Sequence, residues 1–347
     1  MGDRESQWVT EKIGEEYKNW KDGIDKRTNK EQNEGDKIFI SAPTGSGKTH
    51  FVLNVLLPYF YKQGKKILFI VNRRILKEQV EEEIHRVPFE MRNNIRIELY
   101  QSLENLFCSV QFGPIQQSNG TVRYGYAALG YKTMENFKAY DCVVCDECHY
   151  FLADSNYNTN TVVSYRIVNK LFQSKIRIFL SATIRQIQEY IEDNEKNVRN
   201  YRTPIYNIYS IVPGGLGGGK WLEGKTYQYS MYPNYEYLNI QILDNKDDIM
   251  SLVTQDSDKW LIFVDNINYG QALKNDLIKL FKDDEESNRT VVMLSSSYEK
   301  NEESANEVQE VVNTNSFKAK IIISTSVMDN GISIKDINLR NMIIISD

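Results

Sequence analysis

A short glycine-containing segment, Ser41–Thr49, carries residue types that can hold the phosphates of a nucleotide. Gly45 and Gly47 let the backbone turn tightly, so that successive N–H groups point at phosphate oxygens. Lys48 is expected to reach the β- and γ-phosphates, and the hydroxyl of Thr49 to ligate Mg²⁺. The residues predicted to contact the nucleotide in this glycine loop are Thr44, Gly45, Ser46, Gly47, Lys48 and Thr49.

Two adjacent carboxylates, Asp146 and Glu147, follow an apolar segment that begins at Cys142. Ligands bind beyond the carboxyl ends of the strands in a parallel sheet, so this acidic pair is expected near the glycine loop. Asp146 is predicted to hold Mg²⁺, directly or through water, and Glu147 to orient and deprotonate the attacking water. The predicted catalytic residues are therefore Glu147, Asp146 and Lys48, with Thr49 and Asp146 as the Mg²⁺ ligands.

The cysteines around the acidic pair allow two other interpretations. Residues 145–149 match the C-x-x-C-H pattern of haem attachment, but that haem is attached outside the cytosol and the N-terminus shows no export signal. A zinc site would use Cys142, Cys145 and Cys148. Residues three apart on a strand face opposite sides of a sheet, so Cys142 and Cys145 would not converge on one ion. We therefore predict that these cysteines are small buried residues beneath a tight sheet.

Apolar strands that alternate with helical patterns are expected to position these residues. Strands are predicted at 36–42, 65–71, 95–99, 142–146 and 176–182, with helices at 48–62 and 74–86. The alternation resumes with strands at 260–264, 290–294, 320–324 and 341–346. This order predicts an α/β fold of two parallel-sheet domains. The predicted boundaries are an N-terminal polar and helical extension at 1–35, a first domain at 36–225, a linker at 226–248 and a second domain at 249–347.

The composition is typical of a soluble globular protein, with 41% hydrophobic and 26% charged residues among 347. No apolar run approaches the roughly 18–20 residues that a membrane helix needs, and we predict a cytoplasmic protein. The net charge of −5 excludes a global basic field. A nucleic-acid partner would therefore have to be held by a local groove. A second glycine-rich segment ends at Lys220, but Trp221 follows it instead of Ser or Thr, and we predict a flexible loop there.

With the glycine loop and the acidic pair in place, the chain resembles the superfamily 2 helicases, the DEAD/DEAH-box class in its broad sense. Residues 71–79 look like motif Ia, residues 100–104 and 131–135 like the segment before the acidic box, and 181–183 like motif III. Residues 260–266 look like motif IV and 324–331 like motif V. The resemblance covers roughly residues 36–347 and is most similar in style to helicases of bacteria, their phages and mobile elements.

The resemblance implies two RecA-like domains that bind ATP and Mg²⁺ between them and nucleic acid across the top, with DNA preferred to RNA as the predicted partner. It assigns coupling of the ATP state to strand binding to His149, Ser181 and Thr183. Gly331 is expected near the nucleotide. The residues that it places on nucleic acid are Arg73, Arg74, Gln79 and Thr325.

Three features of the sequence depart from the family pattern. Ser333 stands where many members carry an aspartate on the ribose, and the chain has no convincing Q motif. Motif VI, which supplies an arginine finger, would follow the last strand, but the sequence ends at Asp347. We therefore expect the second domain to be incomplete at its C-terminus. The alternatives left open are a nucleic-acid and ATP-binding protein with little hydrolysis, and the motor subunit of a restriction or CRISPR-type nuclease system.

Overall fold

The chain forms two compact units in the computed structural model. The structure describes residues 8–28, 30–31, 33–103, 112–116, 122–126, 139–153, 161–200, 223–231, 239, 241, 246–255, 258–281, 290–328, 332 and 334–345. The first unit comprises Met1–Asn72 and Ile84–Pro233, and the second comprises Arg73–Glu83 and Asn234–Asp347.

Among the described residues, ten strands belong to the first unit. In chain order they are β1 (Ile24–Asp25), β2 (Lys30–Glu31), β3 (Lys37–Ser41), β4 (Ile67–Val71), β5 (Ile95–Leu99), β6 (Phe112–Gln116), β7 (Val122–Tyr126), β8 (Cys142–Cys145), β9 (Ile176–Ser181) and β10 (Thr226–Ser230). Six of them form one sheet in the order β10-β3-β9-β8-β4-β5, and every neighbouring pair in it is parallel. The pairs β1-β2 and β6-β7 are separate antiparallel ribbons.

The described residues of both units also form eleven α-helices and five further helical segments. The α-helices are α1 (Val9–Ile13), α2 (Lys48–Phe51), α3 (Leu57–Tyr61), α4 (Arg74–Ile84), α5 (Phe89–Arg92), α6 (Tyr150–Ala153), α7 (Thr161–Arg166), α8 (Ile184–Asn200), α9 (Lys246–Gln255), α10 (Ile267–Leu280) and α11 (Glu302–Thr314). The segments Val52–Leu56 and Ile167–Leu171 are π-helical, and Glu16–Asn19, Tyr298–Lys300 and Ser326–Met328 are 3₁₀-helical. Among the described residues, no helix is long and apolar enough to cross a membrane.

The central strands of the first sheet are buried on both faces, as their continuous apolar sequences require. All residues of β4, β8 and β9 are buried. Ile184, Ile187 and Ile191 of α8 share one face of the helix, and they pack into the same core cluster as Leu68 and Phe179. The buried packing of the sheet therefore fixes the carboxyl ends of neighbouring strands side by side. The candidate residues lie at these ends.

In its described residues, the second unit is built on a smaller sheet of four parallel strands. They are β11 (Lys259–Val264), β12 (Val291–Leu294), β13 (Ile321–Ser324) and β14 (Leu339–Ile345), in the order β12-β13-β11-β14. Helix α11 begins at a cap in which Oδ1 of Asn301 accepts the N–H of Ser304, and it ends at Asn315 in the left-handed conformation. The predicted α/β class with two parallel sheets is confirmed.

Two segments take positions that the sequence did not indicate. Residues 226–230, which fall in the predicted linker, form the edge strand β10 parallel to β3. The N-terminal segment packs against the first sheet instead of extending from it, because Tyr17 and Trp20 are buried beside Phe51 and the tyrosines of β10. Short range patterning carries no information about such partners, which lie far apart in the chain.

Candidate functional site

The glycine loop between β3 and α2 holds two residues in the left-handed backbone region. Gly45 has φ of 80° and Gly47 has φ of 84°, a conformation that glycine adopts without the clash of a Cβ. Ser46 between them is buried, and its hydroxyl donates to the carbonyl of Pro43 over 2.6 Å. This internal bond stabilises an open turn whose last residue precedes the first residue of α2, Lys48. A turn of this shape fits a chain of phosphates.

Lys48 extends from the start of α2 into the buried end of the sheet. Its Nζ atom lies 2.8 Å from Oε1 of Glu147 and 3.3 Å from the carbonyl oxygen of Ala42. Burial by itself lowers the pKa of Lys48, but the charges of Asp146 and Glu147 outweigh burial and raise that pKa. Lys48 is therefore a buried cation. Thr49, next in the helix, is half-buried, and Thr44 is exposed.

Asp146 and Glu147 form the turn that ends β8. Glu147 has φ of 45°, which costs a residue with a Cβ roughly 1–2 kcal/mol. Surrounding bonds hold this turn: the N–H of Glu147 donates to Oδ1 of Asp146 over 3.0 Å, and the N–H of Asp146 donates to the carbonyl of Ile70 over 2.8 Å. Strained residues of this kind persist only where their surroundings over-determine them. The turn directs the Glu147 carboxylate toward Lys48.

The two carboxylates have opposite pKa shifts. Burial raises the pKa of Asp146, and the adjacent charge of Glu147 raises it further. Burial also raises the pKa of Glu147, but the hydrogen bond from His149 and the charge of Lys48 outweigh burial and lower that pKa. Glu147 is therefore the firmly ionised member of the pair. Asp146 lacks a cationic partner as close as Lys48 is to Glu147 in the described part of the chain, which suits it to hold a metal cation.

His149 connects the acidic turn with the end of β9. Its Nδ1 atom lies 3.3 Å from Oε2 of Glu147 and 3.1 Å from the hydroxyl oxygen of Ser181. The hydroxyl of Ser181 also accepts the backbone N–H of Thr183 over 3.0 Å. Strand β9 lies between β3 and β8 in the sheet. His149, Ser181 and Thr183 were predicted to couple the ATP state to nucleic-acid binding. They therefore form a chain of contacts beside the acidic pair.

The residues predicted to contact nucleic acid are in different environments. Arg73 is half-buried, whereas Arg74 is exposed and forms an ion pair with Glu299. Gln79 is buried, and its amide donates to the carbonyl of Val311 over 3.3 Å. Thr325 is half-buried after β13, where its N–H donates to the carbonyl of Leu294. Gln79 is therefore turned into the packing of its unit, and the structure does not bring it to a surface with the other three.

Several predicted positions lie outside the described residues. They are Gly331, Ser333 and the segments 131–135 and 212–221, and the fourth cysteine, Cys108, also lies outside the described residues. The remaining cysteines Cys142, Cys145 and Cys148 are free and fully buried. Burial raises the pKa of each of these three thiols, which keeps them protonated at neutral pH.

Two residues near the site were not predicted to belong to it, although Tyr100 begins the segment 100–104 that resembles a family motif. Tyr100 is fully buried, and its hydroxyl donates to the carbonyl of Asp146 over 2.9 Å. Trp8 lies over the glycine loop, so that a Cβ added at Gly47 would meet its ring at 3.2 Å. A tyrosine after a strand and a tryptophan in a polar segment have many ordinary roles, and only their contacts distinguish these two.

The N-terminal half of the chain matches a known protein family. The family model described as "Type III restriction enzyme, res subunit" matches residues 9–186, just over half of the chain. The chain belongs to this family. The match to the restriction-enzyme res-subunit family spans the glycine loop, the acidic turn and the Ser181–Thr183 segment. No curated protein matches the chain.

The chain is weakly similar to three solved helicase structures, at low sequence identity. The Escherichia coli DEAH/RHA helicase HrpB has 13% identity and a TM-score of 0.46, over 89% of this chain and 34% of that one. The Mycobacterium smegmatis helicase Lhr bound to ssDNA and AMP-PNP has 16% identity and a TM-score of 0.49, over 88% and 39%. A Saccharomyces cerevisiae Dbp5 variant bound to RNA and ADP BeF3 has 14% identity and a TM-score of 0.47, over 86% and 69%. The chain thus spans little more than a third of the length of the first two proteins.

Proposed function

We propose that this chain is an ATP-dependent nucleic-acid helicase or translocase of the superfamily 2 type, and that its first unit is the domain that binds MgATP. The observation that carries the proposal is the 2.8 Å contact between Nζ of Lys48 and Oε1 of Glu147. Residues far apart in the chain, one from the glycine loop and one from the acidic turn, meet in a buried position. A buried cation beside two carboxylates and a phosphate-shaped turn is the set of groups that phosphoryl transfer to water requires.

Each residue of the site has a role that its environment supports. Lys48 is a buried cation for the β- and γ-phosphates, and the loop amides at Gly45 and Gly47 supply hydrogen bonds to phosphate oxygens. Thr49 and Asp146 would hold Mg²⁺, which when bound neutralises phosphate charge. Glu147, ionised at neutral pH, accepts the proton of the attacking water.

Nucleic acid would contact the same chain through phosphate-binding side chains. Arg73, Arg74 and Thr325 are the candidates, and such contacts orient a strand without reading its sequence. We propose single-stranded DNA as the first partner to test. Glu299 must release Arg74 before that guanidinium can bind phosphate, since the two are paired.

A second candidate function is that of the motor subunit of a restriction-type nuclease system. The match of residues 9–186 to the res-subunit family favours it. The site chemistry is the same in both cases, and the difference lies in whether ATP turnover drives strand separation or serves a separate nuclease. Assay of the purified chain for duplex separation, and then for cleavage when partner proteins are added, distinguishes the two.

The test of the site uses Lys48→Ala and Glu147→Gln. Lys48→Ala removes the buried cation that we propose for the β- and γ-phosphates, and we expect loss of ATP binding. Glu147→Gln keeps the side-chain shape but removes the base, and we expect retained MgATP binding with hydrolysis slower by on the order of 10²–10⁴-fold. Binding is measured by calorimetry and turnover by phosphate release.

The matched control is Lys62→Ala, which removes an exposed lysine at the end of α3. It should bind and hydrolyse ATP as the wild-type chain does. Wild-type nucleotide affinity in Lys48→Ala, or unchanged turnover per bound ATP in Glu147→Gln, would contradict the proposed function.

A further inference from the structure

Tyr100 is a fully buried tyrosine that follows β5 and lies behind the acidic turn. Its ring stacks on Tyr150 with centroids 4.7 Å apart and an interplanar angle of 13°. Phe151 packs edge-on against the same ring at 5.1 Å. The backbone carbonyl of Tyr100 accepts the hydroxyl of Ser164 over 3.3 Å. Contacts on the ring and the backbone therefore hold Tyr100 in one orientation.

The hydroxyl of Tyr100 is aimed at the peptide that joins Asp146 to Glu147. It donates to the carbonyl oxygen of Asp146 over 2.9 Å in a buried position. The next residue after this carbonyl is Glu147, whose φ of 45° is in the left-handed region.

The direction of a side chain depends on the orientation of the peptide before it. If the carbonyl of Asp146 lost its donor, the peptide could rotate and Glu147 could relax toward a less strained backbone conformation. Such a rotation would move the Glu147 carboxylate relative to Lys48. Small displacements of a catalytic group cost large factors in rate, because the reacting atoms must be aligned within a fraction of an ångström.

We propose that Tyr100 is a positioning residue for hydrolysis, which fixes the Asp146–Glu147 peptide so that Glu147 faces the attacking water. This inference rests on the proposed function. It adds to the site a residue that touches no nucleotide and acts only through Glu147. The phenol oxygen, and not the aromatic ring, is the part that the role requires.

The test is Tyr100→Phe, which removes the hydroxyl and keeps the ring that stacks on Tyr150. We expect MgADP to bind with unchanged affinity and unchanged stoichiometry, while the kcat of ATP hydrolysis falls about tenfold, the scale of one lost buried hydrogen bond. The control is Tyr59→Phe, because the Tyr59 hydroxyl also donates to a backbone carbonyl, that of Lys18 over 3.2 Å. Tyr59→Phe should leave kcat unchanged.

A double-mutant cycle separates positioning from a general structural effect. In single-turnover assays, adding Tyr100→Phe to the Glu147→Gln chain should change the rate by less than about twofold, because the group that Tyr100 positions is no longer a base. A role in stability alone would lower the rate by the same factor in both backgrounds, and it would also lower the binding stoichiometry.

The outcomes distinguish this inference from the function on which it rests. A wild-type chain that neither binds nor hydrolyses ATP would overturn the proposed function and this inference with it. A wild-type chain that hydrolyses ATP while Tyr100→Phe has the same kcat would overturn the positioning role alone. Equal effects of Tyr100→Phe in both backgrounds of the cycle would also overturn it.

Discussion

At the scale of single residues, the site is a line of polar contacts contributed by the ends of three strands. Lys48 follows β3, Glu147 and His149 follow β8, and Ser181 ends β9. Nδ1 of His149 lies within 3.3 Å of Glu147 and 3.1 Å of Ser181, so it joins the acidic turn to the neighbouring strand. Because His149 contacts both Glu147 and Ser181, a displacement of one of these residues can be transmitted to the other.

This geometry predicts the effect of His149→Ala. Stimulation of ATP turnover by single-stranded DNA should fall about two- to tenfold, the scale of one or two lost hydrogen bonds, and basal turnover should change less. Phosphate release with and without DNA measures both. His85→Ala is the control, since His85 is exposed. If His149→Ala retained full stimulation by DNA, the coupling role would be refuted.

At the scale of elements, the N-terminal segment is tied to the first sheet by a buried ion pair. Arg177 in β9 is fully buried, and its guanidinium donates to Oε1 of Glu34 over 2.7 Å and to Asn169 over 3.0 Å. A second bond joins the same region to β10, from the Tyr229 hydroxyl to Glu16 over 2.6 Å. Strand β9 carries Ser181 at its other end, so this anchoring supports the strand that separates β3 from β8.

Glu34→Ala should therefore destabilise the chain by about 3–5 kcal/mol, because it removes a carboxylate that the fully buried Arg177 guanidinium contacts at 2.7 Å. Chemical denaturation followed by circular dichroism measures the change. Glu189→Ala is a matched control, since it breaks an Arg–Glu pair with Arg185 in which the side chains are 64% and 91% exposed. The control should change stability by less than about 1 kcal/mol. Equal losses of stability in the two variants would contradict the prediction that the buried ion pair contributes more than the exposed one.

At the scale of the whole molecule, the net charge of −5 does not attract nucleic acid. A nucleic-acid strand must therefore be attracted by basic side chains in a local region of the surface. Each phosphate neutralised by an arginine on a single strand contributes roughly −0.7 to the slope of log affinity against log salt concentration. Arg73→Ala and Arg74→Ala should each make the slope shallower by about that amount, equally for strands of different sequence. Fluorescence anisotropy across a salt series tests this. Arg185→Ala, on the exposed face of α8, should leave the slope unchanged, and unaltered slopes in the first two variants would exclude their phosphate contacts.

Local patterns in the amino-acid sequence were sufficient for most of the architecture. The segment Ile95–Leu99 is a strand at the predicted residues, and the strands ending at Ser181 and Ser324 differ from prediction by one residue at an end. Fully buried parallel strands require continuous apolar runs, and such runs are visible without a structure. Residue type and spacing also predicted that the glycine loop and the acidic pair lie close together, and the 2.8 Å contact between Lys48 and Glu147 joins the two.

The tertiary structure alone decided which distant residues meet. Neither the burial of Glu34 against Arg177 nor the strand at Thr226–Ser230 follows from local periodicity, because both depend on partners more than a hundred positions away. The same is true of Tyr100, whose role lies in one hydrogen bond to the Asp146 carbonyl. Sequence patterns record which face of an element is apolar. They do not record which polar atom another element will place 3 Å away, since folding selects that contact from the packing of the whole sheet.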